Sequence, residues 1–225
     1  MKNLSMTKPP VMVVVLVGIS LLLAGGGTAV AQLDDPVFIN EVLADPASDW
    51  DADGTVDFKG DEWIEIQNNG PEAVDLSIYF LRDALGEEPD FRLSGILETG
   101  STAVFYGSDA VAWQTEMGMT TTGLSFNNSG DIIQLLRAYL TSEGTPAYEL
   151  MFVVSYDDHE AEDDRSCGFN PDASDWILFD ALNPYGGSSE PVGTGCAPSP
   201  GALNQCGGLV AAEDRSFGQV KAIFR

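Results

Sequence analysis

The chain has 225 residues, 10 of them basic and 35 acidic, for a formal net charge of −25 at pH 7. So dense a negative field repels phosphate backbones, which argues against nucleic-acid binding, and it favours solubility and the capture of cations. There are three cysteines, with no CxxC pair, and one histidine, where a catalytic zinc site takes two or three histidines.

At the N-terminus, Lys2 and Lys8 precede an apolar run over 11–23, and small residues then lead to Ala29-Val30-Ala31. A positive start, a short apolar core and an A-x-A site predict a secretory signal peptide over 1–31, cut after Ala31. The apolar run is short for a bilayer span and is followed by Gly25-Gly26-Gly27; no later segment is apolar enough to cross either. Cleavage takes Lys2 and Lys8 with the first 31 of 225 residues, leaving 194 residues, 8 basic side chains against 35 acidic and a net charge of −27. The expected location is secreted or at the cell surface, and the length suits one domain over 35–206. In an oxidising compartment Cys167, Cys196 and Cys206 are expected to form one disulfide and leave one thiol. Of the three pairings, Cys196 to Cys206 closes the shortest loop.

The remaining sequence reads as short strands between turns. In chain order the candidates are 37–43, 62–68, 73–81, 91–93, 102–106, 131–138, 147–156 and 176–179, with one short helix at 108–117. In the second, Trp63 alternates with Glu62 and Ile64 with Glu65, the pattern of a strand buried on one side. Asn69-Gly70-Pro71 marks the turn after it. Many short strands with regular turn signals predict an all-β sandwich or barrel.

Between the first two strands lies Asp49-Trp50-Asp51-Ala52-Asp53-Gly54-Thr55-Val56-Asp57. Carboxylates at alternate positions converge on one hard cation when the chain curls, and glycine permits the sharp turn. Ca²⁺ takes roughly six to eight oxygens. Asp49, Asp51, Asp53, the Thr55 carbonyl and Asp57 are the predicted ligands. The pattern resembles the first half of an EF-hand loop, but Gly60 stands where the bidentate Glu is expected. Asp61 and Glu62 follow and complete the set if the chain path differs. A second acidic run, 157–164, lacks the glycine and the alternation and reads as a charged loop.

Several segments together resemble a lamin tail domain of the kind found on exported bacterial proteins. They are Ile39-Asn40-Glu41-Val42-Leu43-Ala44-Asp45-Pro46, Asp61-Glu62-Trp63-Ile64-Glu65-Ile66-Gln67-Asn68, Val74-Asp75-Leu76-Ser77 and 124–135, with Asn170-Pro171-Asp172 before Trp176. Pro198-Ser199-Pro200-Gly201-Ala202-Leu203-Asn204 closes the series. Ala173 and Ser199 depart from the family pattern of Gly and Thr. The resemblance implies an immunoglobulin-like β-sandwich. It also implies kinship with accessory modules on exported enzymes and surface proteins, and assigns no activity, because fold alone does not set function.

Catalysis is not expected. His159 has no G-x-S-x-G companion, no Gly-rich phosphate loop precedes a lysine, and Asp and Glu are too abundant for any pair to stand out. The sequence therefore predicts a non-catalytic secreted or cell-surface binding and structural module, stabilised by Ca²⁺, whose partner is an extracellular protein or glycan. Two other readings are a secreted hydrolase, or its accessory subunit, using carboxylates and Ca²⁺, and a carbohydrate-binding module using Trp50 and nearby aromatics. The final stretch, 207–225, holds three of the basic residues, Arg215, Lys221 and Arg225, and reads as a tail, with sorting or attachment as one expected role and a loose terminus as the other.

Overall fold

Apolar residues at alternate positions, interrupted by Gly, Pro and Asp, give twelve strands and one α-helix among the described residues. The computed structural model describes residues 30–32, 35–83, 86, 88–171, 175–204 and 206. Residues 1–29 of the predicted leader and the whole predicted tail lie outside them.

The strands are β1 (Val30–Gln32), β2 (Val37–Leu43), β3 (Trp63–Asn68), β4 (Val74–Asp75), β5 (Tyr79–Asp83), β6 (Phe91–Arg92), β7 (Ile96–Leu97), β8 (Thr102–Tyr106), β9 (Gly130–Leu140), β10 (Pro146–Asp157), β11 (Ser166–Asn170) and β12 (Asp175–Phe179). The helix, α1 (Gly107–Glu116), follows β8 directly. One sheet runs β1-β10-β9-β5-β6, the second β12-β11-β2-β3-β8, and β4 pairs with β7 apart from both. Every pairing between these strands is antiparallel. This is the expected immunoglobulin-like β-sandwich. Its core draws Ile64, Ile66 and Phe105 from one sheet and Leu81, Ile133, Leu135 and Val154 from the other. Rings meet across the gap at Phe38–Phe152 and Phe91–Phe105, each with centroids 5.8 Å apart, as in stacked sheets whose inner faces interdigitate.

Besides the short strands β1 and β7, which are not among the expected ones, three features differ from the sequence reading. The expected strand over 73–81 is divided, because the Asp75 carboxylate accepts the Ser77 amide at 2.9 Å and starts a 3-10 turn over Leu76–Ile78, a local bond that competes with the strand ladder. β11 is not among the expected strands, since Gly168 breaks its apolar pattern. That glycine is required: a Cβ there would meet the Asn204 amide at 2.7 Å and the Asn40 carbonyl at 2.8 Å. The third difference is burial. The alternation in β3 predicts one buried face, and the strand buries both, with Trp63 and Glu65 each 0 % exposed.

The cause is a second, more polar layer outside the β2–β3 face. The closing segment crosses it: Gly201 N donates to Glu65 Oε2 at 2.6 Å, and Ser199 Oγ to Glu41 Oε2 at 2.9 Å. Asn204 Nδ2 reaches the Asn40 carbonyl at 3.0 Å. Asn40 sits where the β2–β3 register slips between Ile39 and Glu41. A bulge re-aims side chains in this way, and here Asn40 Nδ2 is directed onto Glu65 Oε1 at 2.5 Å. Burial pushes the Glu41 carboxyl from 4.5 up to about 7 and raises that of Glu65 as well. The Cys196–Cys206 disulfide spans this closing segment, and Cys167 is a buried thiol.

Candidate metal centre

The chain between β2 and β3 curls through short-range side-chain bonds. Asp51 Oδ1 accepts the Asp53 amide at 3.0 Å, and Asp53 Oδ1 the Thr55 amide at 2.7 Å. Asp49 Oδ2 accepts the Gly54 amide at 3.0 Å. Gly54 adopts φ 93°, a left-handed conformation that glycine enters without strain. Asp57 Oδ1 accepts from Lys59 and Gly60 at 3.0 and 2.7 Å. Each bond is the local Asx type that Asp favours at turns.

Asp61 closes the loop from its far end. Its side chain is buried, with Oδ1 accepting the Trp50 and Asp51 amides at 2.6 and 3.1 Å and Oδ2 the Asp57 amide at 2.8 Å. Ligand oxygens of Asp49, Asp51 and Asp61 lie within 4.8 Å of one another. A carboxylate oxygen carries two lone pairs, so Asp49 Oδ2, Asp51 Oδ1 and Asp61 Oδ2, each accepting one amide, keep capacity for a cation, whereas Asp61 Oδ1 already accepts two. Asp53 and Asp57 stand outside this group of three, and the Thr55 carbonyl belongs to the same curl.

Glu62 does not join the set. Consecutive residues of an extended chain face opposite ways, so Asp61 turns into the loop and Glu62 away from it. Glu62 is 3 % exposed, and its Oε2 lies 3.5 Å from the Phe126 amide. Burial, with Asp131 and Asp45 nearby, pushes its carboxyl from 4.5 up to about 9.

The entry to the loop is anchored by Asp164, which by sequence lies inside an acidic run that reads as solvated. Asp164 Oδ1 accepts from the Ala47 amide at 2.9 Å, the Ser48 amide at 3.1 Å and Trp50 Nε1 at 2.8 Å; its Oδ2 accepts from Ser48 Oγ at 2.5 Å. Its φ of 53° is the one local signal, and no sequence pattern announces it. Trp50 is half-buried, fixed by Asp164 and packed on Trp63 with centroids 5.9 Å apart.

The second acidic run also places three groups together. Ligand atoms of Asp157, His159 and Glu160 lie within 4.8 Å of one another. The His159 ring packs tilted against Tyr185 with centroids 4.8 Å apart, and Arg165 donates to the His159 carbonyl at 2.8 Å. Glu160 Oε2 accepts the Asp157 amide at 2.8 Å, so this turn carries its own internal bond.

Among the described residues no helix is long and apolar enough to cross a membrane. None of the curated proteins compared matches the chain. The family model for the Lamin Tail Domain matches residues 31–156, from β1 to β10. β11 and β12 complete the second sheet beyond that match. With the order of strands, the two-sheet sandwich and a family match over more than half its length, the chain belongs to the lamin tail domain family.

Proposed function

We propose that this lamin tail domain is a non-catalytic binding and structural module that works outside the cell, and that a Ca²⁺ ion holds its β2–β3 loop rigid. The observation that carries the metal reading is the approach of Asp49, Asp51 and Asp61 oxygens within 4.8 Å of one another. Three carboxylates so close repel strongly without a counter-ion. Ca²⁺ prefers such oxygen ligands, and water fills the positions that the three carboxylates leave. An ion that binds only the folded chain stabilises it by mass action.

The test is a thermal melt of the purified protein in millimolar CaCl₂ and in EDTA. The melting temperature is expected to be about 5 °C higher with Ca²⁺. Asp51→Asn keeps the acceptor for the Asp53 amide and removes the charge, so it is expected to abolish the difference. Identical melting in the two buffers would refute the Ca²⁺ reading, and turnover of a polysaccharide or ester by the purified domain would refute the non-catalytic one.

Export is the second part of the proposal. It is supported by the basic start, apolar run and Ala29-Val30-Ala31 at the N-terminus. Val30 and Ala31 pair with Val154 and Val153, so the expected cut falls inside β1 and leaves Gln32 as its remaining residue. N-terminal sequencing of protein recovered from the medium of expressing bacteria is expected to begin at Gln32. Recovery only inside the cell, with Met1 or the leader intact, would contradict this.

A further inference from the structure

We propose that a groove between α1 and the β6–β8 side of the sandwich binds a basic, extended peptide segment, with one Lys or Arg side chain over the Trp113 indole. This deepens the binding-module reading and rests on it. The groove has a volume of about 580 Å³, within the range of about 300–1,000 Å³ typical of ligand sites. Phe91, Leu93 and Phe105 form its buried floor. Trp113 is half-buried, held edge-on against Phe91 with centroids 6.2 Å apart and an interplanar angle of 76°.

The charges say what fits. Asp109, Trp113 and Glu116 all line the groove, and their spacing of four and three residues stacks them on one face of α1. An indole between two carboxylates is complementary to a cation, which gains from the ring face and from both charges. Arg92 also lines the groove and donates Nε to the Ser77 carbonyl at 2.8 Å, and Ser77 and Ser94 are polar members of the lining. The chain's net charge of −25 steers basic partners towards such a site and repels acidic ones. Asp109 also accepts the Tyr106 amide at 2.9 Å; an asparagine retains that bond, so the charge is separable from the helix start.

The experiment is isothermal titration of the full chain, in CaCl₂ and about 150 mM NaCl to screen long-range attraction, with an octapeptide of alternating lysine and valine. The glutamate–valine counterpart and a neutral cello-hexasaccharide are the comparison ligands. Saturable 1:1 binding of the lysine peptide alone is expected. The double variant Asp109→Asn, Glu116→Gln and, separately, Trp113→Ala are each expected to weaken it about tenfold, while Glu143→Gln in the distant β9–β10 turn leaves it unchanged. Three results would each overturn the proposal: no binding of the lysine peptide, equal binding by the parent chain and the double variant, or preference for the hexasaccharide. A metal-free melt that matches the Ca²⁺ melt leaves the groove standing, and lost peptide binding leaves the metal loop standing, so the two readings fail separately.

Discussion

Replacing Glu62 by glutamine is expected to stabilise the domain at pH 8 by about 3 kcal/mol, with the gain shrinking towards pH 5. Glu62 is 3 % exposed, and burial, assisted by Asp131 and Asp45, pushes its carboxyl from 4.5 up to about 9. Between these two values the folded chain holds a proton that the unfolded chain has released. Stability then falls as pH rises, by at most about 1.4 kcal/mol per pH unit for one such group. The contribution is fully present below pH 4.5 and lost as pH climbs through about 9. Glu41 acts in the same direction over a narrower window, from 4.5 to about 7. A glutamine at position 62 cannot titrate and still offers an acceptor to the Phe126 amide. Scanning calorimetry of both proteins at pH steps from 5 to 9, in saturating CaCl₂, reads the difference directly. Parallel curves would show that Glu62 ionises in the ordinary carboxylate range despite its burial.

Trp63→Ala is expected to cost about 3–5 kcal/mol, as large-to-small changes at closed sites do, and to remove most of the Ca²⁺-dependent rise in melting temperature. Trp63 is 0 % exposed, yet it is not part of the core between the sheets. It lies on the other face of β3, under Trp50. Trp50 is in turn the residue whose amide, with that of Asp51, is held by Asp61. Losing the indole therefore removes the floor on which the acidic loop rests. Trp63→Phe keeps a ring for Trp50 and removes an indole N–H that is buried without a hydrogen-bond partner among the described residues, so its cost is expected to be well below that of alanine. Denaturant titration, with and without Ca²⁺, separates the two effects. An alanine variant that retains the full Ca²⁺ increment would show that the loop stands without Trp63.

Much of this architecture is local and therefore legible in the chain. The predicted strands over 37–43 and 102–106 coincide with β2 and β8, and those over 131–138 and 147–156 agree closely with β9 and β10, because alternation is a property of neighbouring residues. The curl at 49–57 is local too, since each Asp bonds an amide two to five residues away. Choosing between Asp61 and Glu62 needed the direction in which β3 enters its sheet, which adjacent carboxylates do not reveal.

What the sequence determined by itself was the class of fold, the family, the placing of the long strands and an aspartate-rich loop between the first two of them. What only the tertiary structure decided was which acids lose their water. Glu41 and Glu65 read as ordinary strand residues. They are buried because Ser199 and Gly201 arrive from more than 130 positions away. Asp164, in a run that reads as solvated, fixes a tryptophan 114 positions earlier. Local pattern sets which way a side chain points, but solvation depends on every segment that packs over it, and those segments meet only in the folded chain.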